Sequence, residues 1–322
     1  MITFEIFVLE KEILNTEELY ECLESFKINN DNLTLVIGEG PDLKEIYHNN
    51  RTLIDILENF CNNNRIDKNR IKIETGNLLQ PNYWPNIFRF LGCDVFLAGQ
   101  THKGPYEYNK QIKKHFGCFV GSARFFRLCL SSYLYLYHRD KTLQTFQQKE
   151  FPINYYLKQT ENIELKNNIK NFYPVLPLNK DPVAADNGYI NWDKAFYIID
   201  KYNDFFLDVV CETWHNGITF YPTEKTGRAL FTKTPFIVFG PKNYLSNLQK
   251  IGYKTFSNII DESYDQYTGE ERLDRMNKEI DKIATMSLDD LNFLQKDLEP
   301  LLEHNKKIYL SHNQNKIEAV LL

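Results

Sequence analysis

The sequence lacks several features that would place it in a class at once. No apolar run is long enough to cross a bilayer, and the N-terminus, MITFEIFVLEKEIL, has neither the basic start nor the small-residue cleavage site of a signal peptide. The six cysteines form no CxxC pair and show no other metal-ligand spacing. These absences predict a cytoplasmic protein with reduced thiols, without a membrane span and without structural zinc.

An excess of positive charge is also absent. The chain has 38 Lys and Arg residues against 43 Asp and Glu residues, which gives a formal net charge of −5. This balance supplies no overall field for holding a polyanion, so nucleic acid is not expected as the main partner. Aromatic residues, by contrast, make up 14% of the chain. The 322 residues suffice for one large or two ordinary α/β domains with cores of their own.

The first hundred residues alternate between strand and helix periodicities. Strands are predicted at Ile2–Leu9, Leu33–Ile37, Ile71–Glu74 and Val95–Ala98, and helices at Thr16–Phe26 and Leu43–Cys61. Strands separated by helices pair in parallel with right-handed crossovers, which predicts a Rossmann-like domain over residues 1–109. Gly38-Glu39-Gly40 lacks the third glycine of a dinucleotide fingerprint, and it is interpreted as an ordinary strand-to-helix turn.

The next segment combines a strand, a glycine turn and a helix that begins with arginines. A strand is predicted at Lys114–Gly121, followed by a helix that Ser122 caps and that runs to about Tyr137. Arg124 and Arg127 fall in its first turns, where backbone N–H groups lack partners. Two guanidinium groups beside such donors could bind a diphosphate, which makes this a candidate anion site.

A second candidate anion site lies near Phe220–Tyr264. A buried strand is predicted at Phe205–Thr213, and Thr223 is expected to cap a helix that has Glu224 and Lys225 in its opening turn. A buried strand at Pro235–Phe239, a helix and a short strand follow. This order predicts a second Rossmann-like domain over residues 110–322.

The rest of that domain has a weaker pattern. Asn154–Trp192 is poor in periodicity and is interpreted as a long excursion with short structured pieces. Near the C-terminus, Glu270–Met286 and Leu288–Leu302 have the apolar spacing of amphipathic surface helices, and Ser287 is expected to cap the second one.

The segment Tyr221-Pro222-Thr223-Glu224-Lys225 resembles the Tyr-x-Thr-Glu-Lys motif of the fucosyltransferases of glycosyltransferase family 10 and related proteins of bacteria and large viruses. The resemblance continues into Pro-Phe-Ile and Asp-Glu-Ser-Tyr. It implies a GT-B-like architecture, in which two Rossmann-like domains face a cleft and residues 1–109 form the acceptor side. The implied reaction is inverting transfer of a sugar from a nucleoside diphosphate, GDP-fucose first, to a glycan or another hydroxyl acceptor, without a required metal or other cofactor.

The resemblance also implies roles for particular residues. Glu224 would bind a donor hydroxyl, Lys225 a phosphate and Arg127 the diphosphate. Donor-binding candidates beside them are Tyr221, Arg124 and Glu212, the last of which matches the acid of a Phe-Glu-Asn segment while Thr213 departs from its Asn. A cation beside free N–H donors suits a diphosphate on physical grounds as well. The alternative is that these charges complement helix dipoles or face solvent.

One departure concerns the general base. Thr75–Tyr83 is similar to a family segment, but Asn77 stands where the family has its catalytic glutamate, and an amide has no basic lone pair near neutral pH. Three interpretations follow. Asn77 could orient an acceptor or hold a loop, while a neighbouring carboxylate such as Glu74, Asp94 or Glu39 acts as base. His102 could serve as the base instead, or the protein could bind a nucleotide sugar with weak or no transfer.

A further alternative is a glycosyltransferase that modifies nucleic acid. Such an enzyme needs a basic lane, and basic residues cluster near the expected domain junction at Lys103, Lys110, Lys113, Lys114 and Arg124. The overall acidity of the chain argues against this alternative.

Overall fold

The computed structural model describes residues 2–9, 12–29, 31–38, 40–89, 108–148, 151–178 and 198–314. The chain divides into two compact units. The N-terminal unit consists of Met1–Gly92, Trp214–Pro222 and His312–Leu322, and the C-terminal unit of Cys93–Thr213 and Thr223–Ser311. Both are α/β, with parallel sheets and helices in Rossmann-like topology.

The N-terminal unit is built on a parallel sheet. Its strands are β1 (Ile2–Glu5), β2 (Val8–Leu9), β3 (Glu12–Ile13), β4 (Leu33–Ile37), β5 (Tyr47–His48), β6 (Arg51–Thr52), β7 (Ile71–Thr75) and β8 (Ile87–Arg89). Its helices are α1 (Thr16–Asn29) and α2 (Leu53–Asn64), with a 3₁₀ turn at Lys68–Arg70. The main sheet has the order β1-β4-β7-β8 with all pairs parallel, and β2, β3, β5 and β6 form a small mixed sheet. Buried aliphatic residues of the main sheet and both helices form one core.

Two predictions for this unit are wrong. The strand Ile2–Leu9 is interrupted after Glu5, because the Asn15 amide accepts from the Phe7 N–H and donates to the Glu5 carbonyl. The helix Leu43–Cys61 begins only at Leu53, because Asn49 and Asn50 adopt positive φ and form a tight turn between β5 and β6. The predicted strand Val95–Ala98 lies outside the described residues.

The C-terminal unit contains a second, fully parallel sheet. Its strands are β9 (Lys114–Ser122), β10 (Thr142–Gln148), β11 (Phe205–Cys211) and β12 (Phe236–Phe239), in the order β10-β9-β11-β12. The helices whose bounds the structure describes in this half of the chain are α3 (Phe125–Tyr137), α4 (Ile153–Leu157), α5 (Ile163–Phe172), α6 (Glu224–Phe231), α7 (Tyr244–Lys250), α8 (Gly269–Ala284), α9 (Leu288–Asp297) and α10 (Glu299–Gln314). Short 3₁₀ helices lie at Arg139–Lys141, Tyr173–Val175 and Glu262–Gln266. Every residue of β11 and β12 is buried, and all of them except Asp208 are apolar.

Three predictions for this half need correction. Ser122 lies in β9, and the N-cap of α3 is Arg124, which makes no side-chain capping bond. The short strand expected after α7 does not form, because the backbone N–H and carbonyl of Lys254 pair with the Asn305 side chain. The helix predicted at Leu288–Leu302 is interrupted at Leu298, and α10 starts with Glu299 and Pro300. Proline has no backbone N–H and is therefore well suited to the first turn of a helix.

Two further findings bear on the class of protein. None of the helices in the described part of the chain combines the length and apolar character that a bilayer span requires. The five cysteines that the structure describes are free thiols, and all but Cys22 are buried. Burial raises the pKa of Cys118 to about 12, which keeps this thiol protonated and unreactive.

Candidate functional site

The candidate site lies at the carboxyl edge of the sheet in the C-terminal unit. Strands β9 and β11 are adjacent and parallel, so the segments that follow them emerge at the same edge. Strand β9 leads into α3, while β11 leads into Glu212 and Thr213. The first turn of α6 reaches the same place through Lys225. The two anion sites predicted separately from the sequence are therefore one site.

Three cationic side chains converge on Thr213. Arg124 Nη1 donates to the Thr213 carbonyl at 3.0 Å, and Arg127 Nη2 donates to Thr213 Oγ1 at 3.2 Å. Lys225 Nζ donates to the same hydroxyl at 3.1 Å. Arg127 is 5% exposed. These four residues, Arg124, Arg127, Thr213 and Lys225, are named the Thr213 cradle below.

The hydrogen bonds of the Thr213 hydroxyl have a defined direction. It accepts from both Arg127 and Lys225, which occupies its two lone pairs, so its proton can donate to a further group. The positive potential also reaches Cys211: burial raises the pKa of its thiol to about 11, and the neighbouring Arg127 and Lys225 act in the opposite direction. Two cations and a hydroxyl proton at the end of one strand form an environment suited to an anion.

The first turn of α6 brings a carboxylate to the same place. Thr223 caps the helix, as predicted, by accepting from the Lys225 N–H at 3.3 Å. Glu224 Oε1 forms an ion pair with Lys225 Nζ at 2.7 Å. Withdrawal from water opposes ionisation of this carboxylate, but Lys225 and Arg228 outweigh that cost and lower its pKa to about 2. Glu224 is therefore ionised throughout the physiological range.

The ammonium group of Lys225 uses all three of its protons inside the protein. It donates to Thr213 Oγ1, to Thr223 Oγ1 at 3.3 Å and to Glu224 Oε1. The two hydroxyls belong to the framework of the site, whereas the Glu224 side chain is 39% exposed. An incoming anion would reach Lys225 by taking the place of Glu224.

Glu212 lies directly behind the cradle and is 1% exposed. Its Oε1 accepts from the Thr223 N–H at 3.1 Å, from Thr226 Oγ1 at 2.7 Å and from the Tyr244 hydroxyl at 2.9 Å. Its Oε2 accepts a short bond from the Thr223 hydroxyl. No sequence pattern indicates Thr226 and Tyr244, because their contact with Glu212 arises only when α6 and α7 pack beside the end of β11.

In the N-terminal unit, Asn77 connects two distant segments of the chain. The side chain has no exposed surface. Its Nδ2 donates to the Ile218 carbonyl at 2.9 Å, and its Oδ1 accepts from the N–H groups of Phe220 at 3.0 Å and Leu79 at 3.1 Å. A carboxylate could not replace this amide, because it has no proton to donate to Ile218. Asn77 therefore holds Trp214–Pro222 against the turn after β7.

Tyr221 lies in the same unit and packs against the turns that follow β4 and β7. Its hydroxyl donates to the Gly38 carbonyl, and its ring lies between Gly40 and Gly76, where any side-chain carbon would overlap the ring. Glycine is therefore required at both positions by close approach. Of the predicted donor-binding residues, Arg124, Arg127, Glu212, Glu224 and Lys225 come together in the C-terminal unit, whereas Tyr221 packs within the N-terminal unit.

The candidates for the general base have different surroundings. Glu74, near the end of β7, forms an ion pair with Lys72 at 2.6 Å. His102, Asp94 and Glu39 lie outside the described residues. Another carboxylate near this segment is Glu5, at the end of β1, which no sequence motif indicates. A Cβ atom added to Gly38 would lie 3.7 Å from Glu5 Oε1.

Most of the lysines expected to form a basic lane for nucleic acid are engaged locally. Lys110 Nζ donates to the Tyr202 carbonyl at 2.8 Å and to Thr234 Oγ1 at 3.0 Å, and burial lowers its pKa to about 7. Lys113 pairs with Asp204, and Lys114 donates to the Asp140 carbonyl. Lys103 lies outside the described residues. The described lysines of this cluster are therefore held by groups in their own surroundings.

The N-terminal unit also has an open cavity of about 690 Å³. It is lined by Lys68, Asn82, Tyr83, Trp84, Pro85, Ile87 and Arg89. Lys68 pairs there with Glu58, and Arg89 donates to the Gln80 carbonyl and Asn82. Lys68 and Arg89 bond to different acceptors, whereas the three cations of the Thr213 cradle share one residue, so the cradle is the better candidate for an anion.

A scan against protein-family models finds no match for this chain, and a search of curated proteins finds no significant match. The resemblance to glycosyltransferase family 10 thus depends on the motif residues themselves.

Proposed function

We propose that this protein is a glycosyltransferase of GT-B architecture that transfers a sugar from a nucleoside diphosphate to a hydroxyl acceptor. The observation that carries the proposal is the Thr213 cradle, in which Arg124, Arg127 and Lys225 donate to one residue at the carboxyl edge of a parallel sheet. This edge is where α/β proteins bind nucleotides. Two of the cradle residues, Arg127 and Lys225, are also the ones to which the resemblance assigns the diphosphate.

In this proposal the diphosphate replaces the Glu224 carboxylate on Lys225. An oxyanion would accept from Lys225 and from the two guanidinium groups, and the Thr213 proton could add a fourth donor. Glu224, released from Lys225, would then accept from a hydroxyl of the donor sugar. The phosphate would take the position beside Lys225 Nζ that Glu224 Oε1 has in the ion pair.

The cradle would also assist the chemical step. As the bond from the anomeric carbon to the diphosphate oxygen breaks, negative charge grows on the leaving nucleoside diphosphate, and cations already in place stabilise it. The acceptor oxygen forms the new bond to that carbon from the opposite face, which inverts the configuration. Its proton passes to a base of the protein.

Since residue 77 is an asparagine, a carboxylate elsewhere in the N-terminal unit would be this base. Glu5 is the described carboxylate beside Gly38, the residue that accepts from Tyr221. Glu74 is already engaged in an ion pair with Lys72. In an active preparation, Glu5→Gln should lower kcat by at least about a hundredfold if Glu5 is the base. An unchanged kcat would assign the role to another residue.

The experiment for the function itself is turnover. The wild-type protein is incubated with GDP-, UDP-, CDP- and dTDP-sugars and a panel of hydroxyl acceptors, and release of the nucleoside diphosphate is measured together with the mass of the glycosylated product. One donor class should give acceptor-dependent release that Lys225→Met abolishes. Absence of product with every donor and acceptor would contradict the transferase proposal.

The engaged amide of Asn77 favours a second candidate, a protein that binds a nucleotide sugar without transferring it. This candidate keeps the Thr213 cradle but has no base at position 77. It predicts saturable binding of one nucleoside diphosphate sugar without release of the diphosphate. Binding and turnover measured on the same preparation separate the two functions.

A further inference from the structure

Within the part of the chain that the structure describes, the buried carboxylate of Glu212 has no cationic hydrogen-bond partner. The four groups that donate to it are neutral: the N–H and hydroxyl of Thr223 and the hydroxyls of Thr226 and Tyr244. A buried carboxylate held only by neutral donors is costly compared with an apolar side chain of similar size. Its position, next in sequence to Thr213, suggests a purpose connected with the cradle.

The link to the cradle passes through one hydroxyl. Thr223 Oγ1 has a single proton, and that proton is donated to Glu212 Oε2. Its lone pairs therefore face the other way, and they accept from the Lys225 N–H and from Lys225 Nζ, both at 3.3 Å. The charge of Glu212 thus fixes the direction of the Thr223 hydroxyl, and that hydroxyl fixes one of the three bonds of the ammonium group.

We infer that Glu212 is a positioning residue, which sets the orientation of Lys225 through the Thr223 hydroxyl and does not itself contact the ligand. The inference deepens the proposed function, because the group that is positioned is the proposed phosphate ligand. It assigns Glu212 a different role from direct donor binding, since both of its oxygens are already occupied within the C-terminal unit.

The substitution Glu212→Gln isolates the effect of charge. If the amide oxygen keeps the bonds to Thr223 N–H, Thr226 and Tyr244, the amide nitrogen must take the place of Oε2 and donate to Thr223 Oγ1. The Thr223 proton then turns towards Lys225 Nζ, where it opposes an ammonium proton. Lys225 loses an acceptor and moves away from Thr213.

The primary test measures Lys225 without any ligand. Wild-type and variant proteins are treated with a limiting amine-acylating reagent, and the acylation of Lys225 is compared by mass spectrometry with that of Lys278, which is 70% exposed. Glu212→Gln should raise the ratio of Lys225 to Lys278. The control is Thr226→Val, which removes a hydroxyl that donates to Glu212 and is not bonded to Lys225. It should leave the ratio unchanged.

A second pair of variants covers the case in which Glu212→Gln does not fold. Thr223→Val deletes the connecting hydroxyl while leaving Glu212 in place, and Thr223→Ser keeps it. The valine variant should raise the acylation of Lys225, and the serine variant should restore the wild-type value. Equal acylation of Lys225 in wild type, Glu212→Gln and Thr223→Val would overturn the inference.

The ligand test uses GDP as the probe and measures its affinity by calorimetry. Glu212→Gln should weaken binding about tenfold in the wild-type background and have no further effect in Lys225→Met, because the two residues act in series. Additive losses would overturn the positioning role. Failure of the wild type to bind any nucleoside diphosphate would contradict the proposed function alone, since acylation still decides the role of Glu212.

Discussion

Asn77→Asp provides a demanding test of the structural role of Asn77. The aspartate keeps one oxygen for the N–H groups of Leu79 and Phe220, but its other oxygen meets the Ile218 carbonyl, to which Asn77 Nδ2 donates at 2.9 Å. The variant loses one hydrogen bond and buries a charge without a cation at a site with no exposed surface. Unpaired buried charges of this kind destabilise proteins by about 3–5 kcal/mol.

The destabilisation should depend on pH in a known direction. Burial without a cation raises the pKa of the new carboxyl in the folded state above its value in the unfolded chain, so the folded state binds more protons between the two values. Acidification therefore stabilises the folded variant relative to the wild type, and the protonated carboxyl can donate to Ile218. The difference between variant and wild type should be largest near neutral pH and should shrink as the pH falls through the raised pKa.

Urea unfolding followed by tryptophan fluorescence at several pH values measures this difference. The matched control is Asn82→Asp, which changes the same residue type at an exposed position where Asn82 Oδ1 accepts from Arg89. Its free energy of unfolding should stay within about 0.5 kcal/mol of the wild type. An Asn77→Asp protein within about 1 kcal/mol of the wild type at neutral pH would refute the reasoning, because the site would then tolerate a carboxylate that could act as a base.

Three further predictions concern local packing and charge. Gly76→Ala places a carbon inside the Tyr221 ring and should destabilise the fold by about 1–3 kcal/mol or more, measured by urea unfolding; Gly121→Ala, which meets nothing within 4 Å, should be near neutral. A neutral result for Gly76→Ala would refute the packing of Tyr221. The pKa of Glu224 is lowered to about 2, so its charge should stabilise the folded state fully above its ordinary pKa and lose that effect as the pH falls towards 2. Glu224→Gln should therefore be less stable than the wild type at neutral pH and equal to it in acid. A difference that persists in acid would contradict the ion pair with Lys225. Glu224→Gln should also bind GDP at least as tightly as the wild type but discriminate less between GDP and a GDP-sugar in calorimetry, and weaker GDP binding would argue against displacement of Glu224 by phosphate.

Local patterns predicted much of the framework. The apolar runs of β4, β11 and β12 located those strands, and Thr223 caps α6 as its residue type and position indicated. The hairpin of β5 and β6 could not be predicted, because two-residue strands have no periodicity. The interruption of the first strand depends on the side chain of Asn15, which no strand pattern includes.

The contacts that define the site are mostly between residues far apart in sequence. A loop-holding role for Asn77 is one of the alternatives that the sequence leaves open, but the segment it holds is 141 to 143 residues away and is identified only in the folded chain. Thr213 differs from the Asn of the Phe-Glu-Asn segment that this region resembles. It is nevertheless the residue on which Arg124, Arg127 and Lys225 converge. The residue types at the starts of α3 and α6 indicate two anion sites. In the structure these form one site, because β9 and β11 are adjacent.

The most direct test of the account is calorimetric titration of nucleoside diphosphate sugars, with GDP-fucose first, into wild type, Arg127→Met, Lys225→Met and the control Lys278→Met. The cradle predicts that one donor class binds the wild type and the control equally, and that each cradle variant weakens binding by about 1.5–3 kcal/mol, or roughly ten- to a hundredfold. Binding that is equal in all four proteins, or absent from the wild type with every donor, would contradict the assignment of the Thr213 cradle as a diphosphate site.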